Sequence, residues 1–174
     1  MITDPVKLKA AAEARVNENY QFRQFIKHHP RLSSEQVDGI VHKLEQKVWQ
    51  KIDCTTCANC CREVAPTFSQ SDIDRLAGHL GVSNSELIEK YLKPTESTEE
   101  NPWIMRQTPC PFLADSRCTV YEHRPENCRD YPYLHKDEFT SRTLSMIGRI
   151  PQCPAVFEVW EDLKRATGFR RNAG

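Results

Sequence analysis

Four cysteines crowd into residues 54–61, which read Cys-Thr-Thr-Cys-Ala-Asn-Cys-Cys. In a Cys-x-x-Cys step both sulfurs can reach one ion while the intervening backbone amides point at them. This is a common first half of zinc and iron–sulfur sites. Cys60 and Cys61 are adjacent, so their side chains leave the backbone in different directions and do not share one ion with equal ease. The stretch therefore serves two sites or one multinuclear cluster. The competing reading is a set of unligated or disulfide-paired thiols. Four further cysteines, Cys110, Cys118, Cys128 and Cys153, weigh against it.

The chain has 174 residues, enough for one domain with its own core and short for two. Residues 1–53 read as an N-terminal helical hairpin, 54–154 as a cysteine-cluster core and 155–174 as a C-terminal helix. Basic and acidic residues balance at 24 each, which excludes a global electrostatic pull toward nucleic acid or anionic membrane. Apolar runs are only a few residues long, so no membrane span is expected. Residues 1–20 lack an apolar signal region, so a cytoplasmic location is expected. In a reducing compartment eight cysteines favour metal ligation or redox chemistry over a disulfide framework.

The pattern predicts a first helix over 4–29, stopped by Pro30. Ser33 with Gln36 fits a capping box. Val37, Ile40, Val41, Leu44, Val48 and Ile52 then follow helical spacing and deliver the chain to Cys54. His28, His29 and His42 read as surface histidines. Residues 62–68 read as a loop. Ser69 with Asp72 and Ser83 with Glu86 start two short helices, the first ended by Gly81 and the second by Pro94. Residues 95–102 read as a polar loop and 103–106 as a short strand. Val120-Tyr121 suits another strand, followed by a turn at Arg124-Pro125. Pro154 suits a first helical position, with Val156, Val159, Trp160 and Leu163 marking a last helix that ends near Gly168. Little regular periodicity is visible over 95–152, so bound metal is expected to hold that stretch. The expected fold is mainly α: a small helical domain with an irregular, metal-stapled cysteine-rich core and little β.

Thiolates select zinc, copper(I) or iron–sulfur clusters over hard ions. Bacterial ferredoxins combine Cys-x2-Cys-x2-Cys with a Cys-Pro. This chain has the triplet Cys54, Cys57, Cys60 and a Cys-Pro at both Cys110 and Cys153, but lacks the two symmetric motifs of a simple ferredoxin. The triplet with remote partners favours an iron–sulfur cluster, [4Fe–4S] first, over two compact zinc knuckles. The adjacent Cys60-Cys61 pair and the total of eight keep zinc open. Arg62, Arg117 and Arg129 each adjoin a cysteine, with Arg124 nearby; they could offset thiolate charge and hydrogen-bond the sulfurs, or be ordinary surface arginines. The spacing is wrong for a radical S-adenosylmethionine enzyme, and no phosphate-binding glycine-rich loop is present. Tyr121, Asp130, Tyr131 and Tyr133 lie near the cysteines and read as packing around a metal site. No catalytic residue stands out.

The order Cys54-x2-Cys57-x2-Cys60-Cys61, Cys110-Pro-Phe-Leu, Cys118-Thr-Val-Tyr-Glu, Arg124-Pro125, Cys128-Arg129 and Tyr131-Pro132 resembles the YkgJ-type cysteine-cluster family, the CxxCxxCC domain. The resemblance runs from Cys54 to Pro154. It implies zinc or iron chelation, with the family's eight cysteines falling on the eight of this chain. A similar domain occurs in the considerably longer flagellin lysine N-methylases. Three readings follow. The first is an iron–sulfur or zinc protein in electron transfer, metal handling or sensing. The second is an enzyme with methyltransferase-like chemistry on a protein lysine. The third is a zinc-stapled adaptor that docks a protein partner.

Overall fold

The computed structural model describes residues 1–96 and 100–170. Among these the protein is mainly α, with ten α-helices and five strands of two or three residues. Two compact units emerge: residues 1–53 with the chain from Pro132 onward, and residues 54–131.

The first unit holds α1 (Pro5–Glu13), α2 (Val16–Lys27), α3 (Ser34–Trp49), α9 (Phe139–Arg149) and α10 (Pro154–Ala166). The single helix expected over 4–29 is two, because the chain breaks at Ala14 and Arg15. Asp4 caps the first through its bond from the Lys7 N–H. Ser33 and Gln36 form the expected capping box. The hairpin expected of the N-terminal stretches gives way to a different packing: α3 lies chiefly on α10 and α9, and α2 on α9. Phe22, Val37, Val41, Phe139, Met146, Trp160 and Leu163 form the apolar interior. The rings of Phe22 and Trp160 meet edge to face at 5.1 Å. Trp160 Nε1 donates to Asn19 Oδ1, and the buried Lys164 ammonium bonds Asn19, Glu18 and Glu161, each at 2.7 Å. The Trp160 indole N–H, the Lys164 ammonium and the Asn19 side-chain oxygen thereby find partners, as burial demands.

Helix α9 corrects the expectation of an irregular stretch over 95–152. Phe139, Thr143, Met146 and Ile150 recur at helical spacing and are buried. Its N-cap residue Glu138 sits in the left-handed region and supplies no side-chain cap. The cap comes from Asp38 on α3, whose two carboxylate oxygens accept the N–H groups of Glu138 and Phe139 at 2.9 and 2.8 Å. Asp38→Ala leaves the buried Phe139 N–H and the part-buried Glu138 N–H without this acceptor, at an expected cost of about 1–3 kcal/mol. Denaturant unfolding of the variant against wild type measures it; an unchanged midpoint would show that α9 holds without the cap.

The second unit holds α4 (Cys54–Cys57), α5 (Asn59–Glu63), α6 (Gln70–Leu80), α7 (Asn84–Tyr91) and α8 (Glu126–Asp130). Strands β1 (Thr67–Phe68), β3 (Trp103–Met105) and β2 (Leu92–Pro94) form an antiparallel sheet in that order, and β4 (Leu113–Ala114) pairs with β5 (Arg117–Cys118) as a hairpin. The loop expected over 62–68 is thus partly α5 and β1. The polar loop expected over 95–102 lies in part outside the described residues. Both capping boxes of α6 and α7 form, and Gly81 ends α6 at φ 68°. Residues Phe68, Ile73, Leu76, Leu87, Leu92, Met105, Phe112 and Val120 share one apolar core. The segment after residue 95 therefore contributes to a conventional core rather than hanging only on its cysteines. In place of the strand expected at Val120-Tyr121, Val120 caps a 3₁₀ turn over Tyr121–His123, with the Arg124 guanidinium stacked 3.6 Å from the Tyr121 ring centre.

Candidate metal centre

The short helices α4 and α5 present the dense cysteine stretch. Ala58 separates them at φ 54°, a left-handed conformation that costs an alanine about 1 kcal/mol or more. The kink lets the chain change direction between Cys57 and Cys60. Arg62 fixes it in place: its guanidinium donates to the Cys57 carbonyl at 3.1 Å and reaches across to Ser116 Oγ at 2.7 Å. Ser116 belongs to the two-residue turn of the β4–β5 hairpin, where Asp115 and Ser116 both have positive φ. That geometry matches the right-handed twist of paired strands. It sets Cys118 opposite Leu113, and α4 packs against β5.

The two halves of the cysteine pattern meet through the backbone. The Cys110 N–H donates to the Cys61 carbonyl at 2.8 Å. Cys128 arrives on α8, a helix absent from the sequence reading. Pro125 begins α8 without a side-chain cap, and Asp72 of α6 supplies one by accepting the Glu126 N–H at 3.1 Å. Arg75, ion-paired to Asp72 at 2.5 Å, also donates to the Arg124 carbonyl at 2.9 Å. Cys60, Cys61, Cys110 and Cys128 line one cavity of about 30 Å³, walled by Val64, Pro66, Asn127 and Tyr131. This is room for about one or two water-sized guests.

The sulfurs feel one another. Burial pushes the Cys128 thiol up to about 12, and charge on Cys61, Cys110 and Cys118 pushes the same way, against a pull from Arg124. Burial also pushes Cys110 up to about 11; a hydrogen bond from the Phe112 N–H opposes this, and Cys61 and Cys118 add to the rise. Cys118 is raised by burial, opposed by the Val120 N–H and by Arg124. Cys61 goes the other way: a hydrogen bond from the Cys60 side chain draws it down to about 7, burial opposes, and Arg62 assists. Cys61, Cys110, Cys118 and Cys128 thus form one electrostatic group of which a single member ionises readily. A bound cation inverts that balance and makes thiolate the favoured form of each ligand.

This donor set suits a thiophilic ion. It offers sulfur ligands, backbone N–H groups aimed at two of the sulfurs, and arginines whose charge favours thiolate. Among the described residues no three His, Cys, Asp or Glu side chains already stand so as to hold an ion. Ligation therefore requires the thiols to turn toward the cavity. Of the predicted arginines, Arg62 and Arg129 bond backbone carbonyls, the latter those of Arg124 and Glu122. Arg117 is exposed on β5. Arg124 lies close enough to Cys118 and Cys128 to lower both. Cys54 is exposed and Cys57 half-buried on α4. Cys153 belongs to the other unit, where it is buried as the N-cap residue of α10. Sequence reasoning missed Asp72, whose only visible signal was the Ser69–Asp72 capping pattern.

Residues 53–145, just over half of the chain, match the model of the CxxCxxCC family, described as a putative zinc- or iron-chelating domain. The chain belongs to the CxxCxxCC family. No curated protein and no solved structure gives a significant match. Seven of the eight cysteines of this CxxCxxCC chain fall inside the matched span, and Cys153 lies beyond it. The family match and the cysteine set together support metal binding. No helix among the described residues is long and apolar enough to cross a membrane.

Asp72 gives this CxxCxxCC unit an acid-sensitive joint. Burial pushes its carboxyl up, but the bonds from Ser69, Arg75 and Glu126 outweigh that and hold it below 3.8. Its stabilising contribution is therefore complete above pH 3.8 and is lost as pH falls through its lower folded value. Asp72→Asn should cost about 1–3 kcal/mol near neutrality and flatten the acid limb of the stability profile. Urea unfolding from about pH 2 to about pH 6 measures both effects. Parallel acid limbs in the two proteins would remove Asp72 from this role.

Proposed function

We propose that this CxxCxxCC chain is a metal-binding protein in which the sulfurs of Cys61, Cys110, Cys118 and Cys128 hold one metal centre. The supporting observation is that these four residues come from separate elements yet lie within electrostatic reach of one another. The Cys110–Cys61 backbone bond supports the same grouping. The centre serves electron transfer, metal handling or sensing, and zinc and iron–sulfur chemistry both suit four thiolates. The triplet Cys54, Cys57, Cys60 leads directly into Cys61 and supplies further sulfur, which favours an iron–sulfur cluster, [4Fe–4S] first, in the living cell. Zinc then takes the same thiolates in protein isolated in air. Cys153 is not needed in this reading. The arginines at 62 and 124 lower the cost of gathering negative sulfur.

Anaerobic purification with metal and sulfide analysis and a visible spectrum tests this. Iron and sulfide in equal amounts, with broad visible charge-transfer absorption, are expected. Colourless protein with stoichiometric zinc would keep the thiolate centre and replace the cluster. Protein that takes up neither metal would overturn the reading.

A further inference from the structure

Two imidazoles outside the thiol group lie face to face. The rings of His79 and His123 are 4.0 Å apart between centres, with planes 12° from parallel. His79 stands in the last turn of α6 and is exposed; His123 ends the 3₁₀ turn at 121–123 and is half-buried. The backbone beneath both is fixed. The His123 N–H donates to the Val120 carbonyl at 2.9 Å. One helical turn before His79, on the same face of α6, Arg75 holds the Arg124 carbonyl at 2.9 Å. The Arg75–Arg124 and His79–His123 contacts are therefore successive rungs between the same two segments.

We propose that His79 and His123 form a second cation site, for a borderline divalent ion such as Zn²⁺ or Ni²⁺. Imidazole suits such ions, whereas the thiol group selects softer partners. Nitrogen ligands stand about 2.0–2.1 Å from a zinc ion, so two of them on one ion are roughly 3–4 Å apart. The rings stack with centres 4.0 Å apart; imidazole lone pairs lie in the ring plane, so both side chains swing out of the stack for one nitrogen of each to meet on the ion, and the exposed His79 has room to do so. The open side leaves the remaining positions to water. An ion held there clamps α6 to the turn between Cys118 and Cys128, which couples the second site to the segment that carries two of the sulfurs. The site is independent of which metal the thiol group takes.

Ni²⁺ is the probe. The full chain, loaded with zinc and freed of excess, is titrated with Ni²⁺ by calorimetry while zinc release is followed in parallel. One saturable nickel site is expected, without zinc release, weakened at least tenfold in His79→Ala and equally in His123→Ala. In the wild-type protein, paramagnetic broadening should fall on the imidazole signals of His79 and His123 and spare the other four histidines. The broadening reads the two rings whether or not the thiols carry zinc, so it stands apart from the fate of the thiolate reading. Unchanged affinity in either variant, nickel uptake only in exchange for zinc, or broadening at other histidines would overturn the site and leave the stack as packing only.

Discussion

Cys128→Ser should strip the chain of its metal. Of the four grouped thiols, Cys128 is the one burial and its neighbours hold most firmly in the neutral form, up to about 12. Only a cation makes its thiolate the stable state there. A serine hydroxyl is a harder, weaker donor and cannot replace it for zinc or iron–sulfur binding. Loss of a mere outer partner of a metal ligand costs about 10–100-fold in affinity, so loss of a ligand should exceed that. Metal content should fall from stoichiometric to near zero after gel filtration, with Cys61→Ser and Cys110→Ser behaving alike. Because α8 also depends on the Asp72 cap, circular dichroism distinguishes a folded, metal-free variant from an unfolded one. A folded Cys128→Ser protein with full metal content would exclude Cys128 from the centre.

The second large effect is expected from removing the metal of the wild-type protein. Hydrogen-exchange protection should collapse over the Cys110–Cys128 segment and persist in α3, α9 and α10. Structural zinc in small domains supplies an apparent binding free energy of about 10–16 kcal/mol, and much of that is folding free energy. The hairpin β4–β5 and the five-residue α8 are too short to stand on their own hydrogen bonds. By contrast, α3, α9 and α10 close on a core built from Val37, Phe139, Met146 and Trp160, and none of the four grouped thiols belongs to it. Helices α6 and α7 hold an intermediate position, since Ile73, Leu76 and Leu87 are buried with Phe68 and Leu92. Equal protection with and without chelator would mean that this apolar core alone supports the segment.

The parts of this fold legible in the sequence are those whose signals are local. Ser33, Ser69 and Ser83 each sit three residues before their capping partner, and all three boxes form. Trp103–Met105 and Pro154–Ala166 were likewise readable from adjacent residues. Two of the missed helices, α8 and α9, share one cause. Neither α8 nor α9 carries a side-chain cap of its own; Asp72 and Asp38 provide them from 54 and about 100 residues away in sequence. A carboxylate buried by tertiary packing leaves no mark beside the helix it starts. The grouping of cysteines shows the same limit. Spacing marked the cysteines only as candidates, and the association of Cys61 with Cys110, Cys118 and Cys128 depends on the Ala58 kink and on that remote cap.

The turn at Asp115 and Ser116 makes the sulfur group sensitive to counting. Side chains alternate across a strand with a period of two, so one residue inserted there would exchange the faces of Arg117 and Cys118 relative to Leu113. Two inserted residues would restore the parity and only lengthen the loop. Residue type at position 115 is open to drift, since any residue tolerating left-handed backbone closes the turn, whereas the Ser116 hydroxyl also anchors Arg62. Odd changes in length are barred to any descendant of this chain that keeps Cys118 facing its present neighbours.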